Sequence, residues 1–111
     1  MMMRDAFHEE LDQISQSLLN MASLVNLAME DATQALLTPD LGIAEKVIAA
    51  DDVIDQMQHD LDARTISLMA RQQPVASDLR TLVTSLRMSA DLERMGDMAH
   101  HIAKSARMRY P

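Results

Sequence analysis

The sequence predicts an all-α protein, and its composition gives two reasons. The 111 residues include only 2 Gly and 3 Pro, one Tyr, one Phe and no Trp. A β-sandwich or barrel needs a turn every ~8–12 residues, and strands favour the aromatic and β-branched side chains that are scarce here. The plentiful Ala, Leu, Met, Gln and Glu residues favour helix. A third observation, apolar residues spaced by alternating steps of three and four, places the helices individually.

The first helix is predicted over residues 4–37. Its apolar row continues through four heptads and comprises Phe7, Leu11, Ile14, Leu18, Met21, Val25, Ala28, Ala32 and Ala35. This spacing is typical of a helix that packs one face against its neighbours. The helix ends at Thr38-Pro39-Asp40, which offers the next helix either a capping hydroxyl or a capping carboxylate, with Pro at a first-turn position.

The second and third helices are predicted over residues 40–71 and 74–109, separated by Gln72-Gln73-Pro74. Their apolar rows are Ile43, Val47, Ala50, Ile54, Met57 and Leu61 in the second helix, and Val75, Leu79, Leu82 and Leu86 in the third. Short connections make neighbouring helices run antiparallel. We therefore predict a single domain over residues 1–111, an up-down-up antiparallel three-helix bundle.

Charge and the N-terminal segment restrict the classes of function. The formal net charge of −7 argues against binding of a nucleic-acid backbone. Residues 1–5 become acidic at once and lack the apolar core of a signal peptide, and no apolar run approaches the ~20 residues that span a bilayer. The absence of Cys excludes disulfides and thiolate zinc sites. We expect a soluble cytoplasmic protein that reaches a membrane only through protein partners.

Carboxylates take the place of apolar residues where the helical rows are continued. In the second helix, the row through Leu41, Ala44 and Ile48 continues to Asp51 and Asp55. In the third helix, the row through Val75, Leu79, Leu82, Leu86 and Ser89 continues to Glu93, and Asp97 follows one turn later. Both pairs have i, i+4 spacing, so the two members of a pair point the same way.

Two interpretations of these carboxylate pairs remain open. Burying like charges without a partner costs several kcal/mol, and two antiparallel helices with such pairs form a suitable nest for cations with oxygen ligands. The alternative is that the pairs lie beside the packed face in solvent, as in a metal-free helical adaptor. Asp97-x-x-His100 also places an imidazole one turn from a carboxylate, but the sequence assigns no role to His100 or His101.

The sequence has few of the motifs that indicate an enzyme. Gly42 and Gly96 lie within helical patterns, so no glycine-rich loop is available for a nucleotide phosphate. No Ser or Thr forms a recognisable nucleophile motif with a His. A ferritin-like di-iron oxidase is a less favoured alternative, because it needs Glu-x-x-His from each of two helices and the chain has none. We predict no catalytic residues.

The motifs of the second and third helices resemble those of a known family. Residues 70–80 (ARQQPVASDLR) and 91–97 (DLERMGD) resemble the motifs of PhoU, the accessory proteins of phosphate-specific transport systems. Residues 41–48 (LGIAEKVI), followed by 51–55 (DDVID), are similar to the second helix of that family. The resemblance covers residues 4–109.

This resemblance carries implications that composition and spacing do not. PhoU proteins have two tandem three-helix repeats, each with two acid-x-x-x-Asp motifs that can hold multinuclear iron or zinc clusters. Asp51 and Asp55 match the first motif, and Glu93 and Asp97 match the second, so these four residues are the expected metal ligands. Magnesium or manganese would also suit such ligands.

The resemblance also implies a regulatory function. A PhoU-like protein would restrain the phosphate ABC transporter through its ATPase and help the phosphate sensor histidine kinase to silence phosphate-starvation genes. This chain carries one repeat where the family usually has two. We therefore expect a homodimer that covers the flank a second repeat would cover.

Overall fold

A computed structural model describes residues 2–38 and 40–109 of the chain. It contains three α-helices, α1 (Met2–Leu37), α2 (Leu41–Gln72) and α3 (Ala76–Arg109), and each helix packs against the other two. The molecule measures 62 × 17 × 17 Å. No strand occurs in these residues, which confirms the predicted all-α class.

The buried residues divide into two clusters along the long axis. One cluster joins the C-terminal half of α1 to the N-terminal half of α2 and the C-terminal half of α3, with Val25, Ile54 and Ala99 among its members. The other joins the opposite halves, including Ile14, Leu61 and Leu82. This pairing requires α2 to run antiparallel to α1 and α3, so the predicted up-down-up topology is also confirmed.

The apolar row predicted in α1 forms the α1 contribution to both clusters. Leu11 is partly buried and every other member of the row is buried. The row passes from large side chains, such as Phe7 and Leu18, to Ala28, Ala32 and Ala35. The small residues face the half of the bundle in which Ala44, Ala99 and Ala103 are also buried.

The connections between the helices follow local backbone chemistry. Asp40 has an extended backbone and caps α2, accepting a hydrogen bond from the Ile43 N–H at 3.1 Å. Pro39, predicted to occupy the first turn of this helix, lies outside the described residues. At the other end of α2, Gln73 adopts a left-handed backbone with φ of 44° and donates its N–H to the Met69 carbonyl.

The predicted packing of the first part of α3 is wrong. The helix begins at Ala76, so Pro74 and Val75 belong to the connection, and Val75 is 69% exposed. Leu79 is also exposed. The buried residues of α3 are Leu82, Ser85, Ser89, Gly96, Ala99, Ala103 and Ala106. Most of these are small residues, which pack where helices approach closely but contribute little to an apolar pattern.

Although each helix exceeds 30 residues, none in the described part of the chain is both long and apolar enough to cross a membrane.

Candidate metal centre

The side chains of α2 and α3 form a cluster of potential metal ligands where the two helices pack together. Asp51 from α2 meets Asp97 and His100 from α3, and each of the three is partly buried. One ligand atom from each residue lies within 4.8 Å of the other two. The antiparallel packing of α2 and α3 therefore brings Asp51 to residues that lie 46 and 49 positions further along the sequence.

A short polar contact joins the two helices within this cluster. His100 Nδ1 lies 2.7 Å from Asp51 Oδ2, and each side chain is 19% exposed. The other ring nitrogen, Nε2, is buried and has no hydrogen-bond partner among the described residues. A buried polar atom without a partner is unusual, because desolvation is then uncompensated.

Glu93 lies in the field of the other three predicted carboxylates. Burial raises the pKa of Glu93, and the charges of Asp55, Asp97 and Asp51 raise it further, in that order. Arg94 opposes these effects and lowers the pKa. Asp51 and Asp55 of α2 therefore act on the charge of Glu93 across the contact with α3.

The four predicted residues are not equivalent in position. Asp51 and Asp97 belong to the cluster with His100, whereas Asp55 and Glu93 lie outside it. Asp55 is exposed. Glu93 and Asp97 are partly buried beside the fully buried row of α3. Glu93 therefore continues the predicted row only in part, because the next buried residue of α3 after Ser89 is Gly96.

A buried glycine lets α3 approach α2 next to the carboxylates. A Cβ atom at Gly96 would lie 3.3 Å from Ile54 Cγ2 and 3.4 Å from its Cδ1. These distances are at the tight limit of side-chain contact. Gly96 precedes Asp97, and Ile54 precedes Asp55, so this close contact lies directly beside both acidic motifs.

The donor atoms present fit a bound cation. Carboxylate oxygens suit hard ions such as Mg²⁺ or Mn²⁺, and a carboxylate–imidazole set suits Zn²⁺ or Fe²⁺. The unpartnered His100 Nε2 and the mutual repulsion around Glu93 are both features that a cation would relieve.

Sequence reasoning assigned no role to His100, although a signal was present. Asp97-x-x-His100 has i, i+3 spacing, which places both side chains on one face of α3. That spacing alone is common in helices. Only the packing of α2 against α3 shows that Asp51 completes the group. His101 is 69% exposed and contacts Asp97 at 3.3 Å without joining the cluster.

Comparisons with known proteins give one consistent result. A family model described as "PhoU domain" matches residues 18–106. The chain is 46% identical over 109 residues to the phosphate-specific transport system accessory protein PhoU homolog 2 of Mycobacterium tuberculosis, covering 98% of this chain and 51% of that protein. It is 40% identical over 100 residues to the PhoU homolog of Pseudomonas aeruginosa, covering 90% and 41%.

Solved structures agree with the sequence matches. The crystal structure of PhoU from Pseudomonas aeruginosa superposes with a TM-score of 0.90 at 39% identity, covering 92% of this chain and 49% of that one. PhoU from Streptococcus pneumoniae gives 0.84 at 36% identity, covering 90% and 47%. The chain spans about half the length of these relatives, as one repeat of two would. On the strength of both the sequence and the fold, the chain belongs to the PhoU domain family.

Proposed function

We propose that this chain is a regulatory domain of phosphate uptake that acts by binding other proteins. One observation carries the proposal. Asp51 from one acid-x-x-x-Asp pair lies close to Asp97 from the other where α2 packs against α3, in a chain 46% identical to a phosphate-specific transport system accessory protein. In this role the bundle docks onto the phosphate ABC transporter ATPase and the sensor histidine kinase, and restrains uptake and starvation signalling when phosphate is plentiful. The chain itself performs no covalent chemistry.

In this proposal Asp51, Asp55, Glu93 and Asp97 hold a metal ion or cluster, with iron or zinc favoured over magnesium or manganese. The metal supplies positive charge that offsets the repulsion among the four carboxylates. Because two of them come from α2 and two from α3, the bound metal also fixes these helices in register. A fixed register gives the partner proteins a rigid surface to bind.

The proposal includes self-association through the groove between α1 and α3. This groove has a volume of ≈ 620 Å³, and its lining includes Leu19 and Met88. These side chains are 62% and 48% exposed. Covering such apolar surface favours association.

We expect light scattering at micromolar concentrations to show a dimer, which Leu19→Glu dissociates. Leu27→Glu is the control and should leave the dimer intact, because Leu27 is exposed but does not line the groove. A monomeric wild-type protein would refute this part.

Binding to the two purified partners tests the regulatory role. The chain, loaded with metal and in the presence of phosphate, is passed over the immobilised transporter ATPase and over the kinase. We expect saturable binding that the double variant Asp51→Asn/Asp97→Asn weakens. Asp52→Asn is the matched control, because Asp52 is exposed and lies outside the cluster. If the chain binds neither the ATPase nor the kinase, this role is ruled out for the 111-residue chain.

Metal content is tested separately. Protein purified without chelators is analysed for iron, zinc, manganese and magnesium, before and after soaking with each ion. We expect one or more of them to be retained by the wild-type chain and lost from the double variant. A chain that retains none of these ions after soaking would favour the metal-free helical adaptor.

A further inference from the structure

We infer that His100 is a ligand of the bound metal, and that its imidazole makes the site selective for borderline transition-metal ions, such as Zn²⁺ or Fe²⁺, over Mg²⁺ and Ca²⁺. The inference rests on the proposed metal site and goes beyond it, because the acid-x-x-x-Asp motifs contain only oxygen ligands. It identifies a nitrogen donor that the sequence motifs do not include.

The position of the imidazole is the first argument. One potential ligand atom from each of Asp51, Asp97 and His100 lies within 4.8 Å of the other two. This arrangement joins α2 to α3, and His100 reaches across to Asp51 with a contact of 2.7 Å. A cation bound to this imidazole would be linked to both helices, to α3 through His100 itself and to α2 through the Asp51 contact, as the proposed register function requires.

The second argument is the state of the two ring nitrogens. Asp51 contacts Nδ1, and Nε2 is buried without a partner among the described residues. A histidine with a purely structural role normally satisfies both nitrogens when it is buried. Metal-binding histidines commonly use one nitrogen for the metal and offer the other to a carboxylate. The described contacts of His100 match this second pattern.

Ligand chemistry then sets the class of metal. Imidazole is a good ligand for Zn²⁺, Fe²⁺, Ni²⁺ and Cu²⁺, whereas Mg²⁺ and Ca²⁺ prefer sites made of oxygen ligands. Replacing His100 should therefore weaken the binding of the first group much more than that of the second. The neighbouring His101 provides the comparison, because it is 69% exposed and lies outside the cluster.

The test compares His100→Gln with the matched control His101→Gln in the 111-residue chain. Affinities for Zn²⁺, measured by competition with a chromophoric chelator, and for Mg²⁺, measured by calorimetry, are determined for both variants and the wild type. We expect His100→Gln to lose at least about tenfold in Zn²⁺ affinity, the lower end of the cost of removing even an outer-shell partner. Its Mg²⁺ affinity, and both affinities of His101→Gln, should change by less than about twofold.

Equal losses of Zn²⁺ and Mg²⁺ affinity in His100→Gln, or equal Zn²⁺ losses in the two variants, would overturn the inference.

A second measurement does not depend on the folding of a variant. X-ray absorption of the zinc-loaded wild-type chain should show the outer-shell scattering of an imidazole, and a spectrum with oxygen ligands alone would overturn the inference while leaving the metal site in place. If the wild type binds neither ion, the inference fails together with the metal site.

Discussion

At the scale of single residues, the surroundings of Glu93 disfavour the negative charge of its carboxylate. It is partly buried next to the packed row of α3, and three carboxylates act on it from α2 and α3. Burial and these like charges raise its pKa above the ordinary value of 4.5, and only Arg94 opposes them. In the metal-free protein, like-charge repulsion therefore destabilises the ionised Glu93, and either a proton or a bound cation would reduce that repulsion.

The pH dependence of stability follows from the direction of this shift. Between pH 4.5 and the raised pKa, the native state binds more protons at Glu93 than the unfolded state does. The contribution of this residue to stability is therefore complete below about pH 4.5 and is lost as the pH rises through the raised pKa. Above that pKa, the ionised Glu93 destabilises the metal-free fold.

Glu93→Gln should stabilise the metal-free protein at neutral pH. The gain comes from removing like-charge repulsion and should be roughly 0.2–0.5 kcal/mol for each relieved neighbour. It should be smaller at pH 4, where the wild-type carboxyl is already protonated. Urea denaturation in a chelating buffer at both pH values measures the difference, with Asp52→Asn as the control. A variant that is less stable than the wild type at pH 7 would contradict this account.

At the scale of the helices, the start of α2 depends on a single side chain. Asp40 accepts the Ile43 N–H at 3.1 Å, so it satisfies a backbone donor that has no partner within the helix. Gly42 follows in the first turn, where an added Cβ would lie 3.3 Å from Asp40 Oδ1. The capping carboxylate therefore lies close over the first turn of the helix.

Asp40→Ala should remove this cap and destabilise the bundle by about 1 kcal/mol, within the usual range of roughly 0.5–2 kcal/mol. Asp40→Asn retains a capping oxygen and should cost only a few tenths of a kcal/mol. Chemical denaturation of the three proteins measures both values. Equal losses in the two variants would show that charge rather than capping is responsible.

The contact between Gly96 and Ile54 sets how closely α2 and α3 approach beside the carboxylates. We predict that Gly96→Val destabilises the bundle by about 1–3 kcal/mol, because the added methyl groups meet Ile54 at a site with no free volume. Ile54→Ala creates that volume, so the double variant should be more stable than the sum of the two single changes implies.

A double-mutant cycle in urea measures this coupling. The Gly96→Val single variant should also bind metal more weakly than the wild type. The larger side chain widens the α2–α3 separation and moves Asp51 and Asp55 away from Glu93 and Asp97. Additive losses of stability would mean that the two residues do not interact, in conflict with the contact distances.

At the scale of the whole molecule, the bundle is long and thin, with extents of 62 × 17 × 17 Å. Its buried core is divided into two clusters, and the Ala-rich cluster includes Ile54 and Ala99, which lie next to the acidic motifs in sequence. This half contributes less apolar volume per residue than the half that contains Phe7, Leu61 and Leu82. A metal bridge between α2 and α3 would therefore reinforce the half of the bundle that has the smaller side chains.

Metal binding should raise the melting temperature of the whole chain. A ligand that binds only the native state at a hundred times its dissociation constant contributes about 2.7 kcal/mol. We expect Asp51→Asn to abolish most of the shift produced by Zn²⁺, and Asp52→Asn to retain it. Differential scanning calorimetry with and without Zn²⁺ provides the measurement, and an unchanged melting temperature in the wild type would count against the metal site.

Much of the fold could be predicted because it depends on local patterns. The α1 row from Phe7 to Ala35 is almost entirely buried, and α2 is capped by Asp40, one of the two capping residues that the sequence offers there. The failures concern α3, where Val75 and Leu79 are exposed and Ser85, Ser89 and Gly96 are buried. Small residues are selected by the distance between helices, and apolar periodicity does not report that distance.

The sequence by itself determined the class of the protein, the number and approximate limits of its helices, and the two acidic motifs, because each depends on spacing along one chain segment. Only the tertiary structure decided how these motifs meet. It brought Asp51 to Asp97 and His100, left Asp55 exposed, and left Glu93 only partly buried beside the packed row. The physical reason is that ligand geometry and desolvation depend on the register and separation of two antiparallel helices, which are fixed by contacts such as that between Gly96 and Ile54.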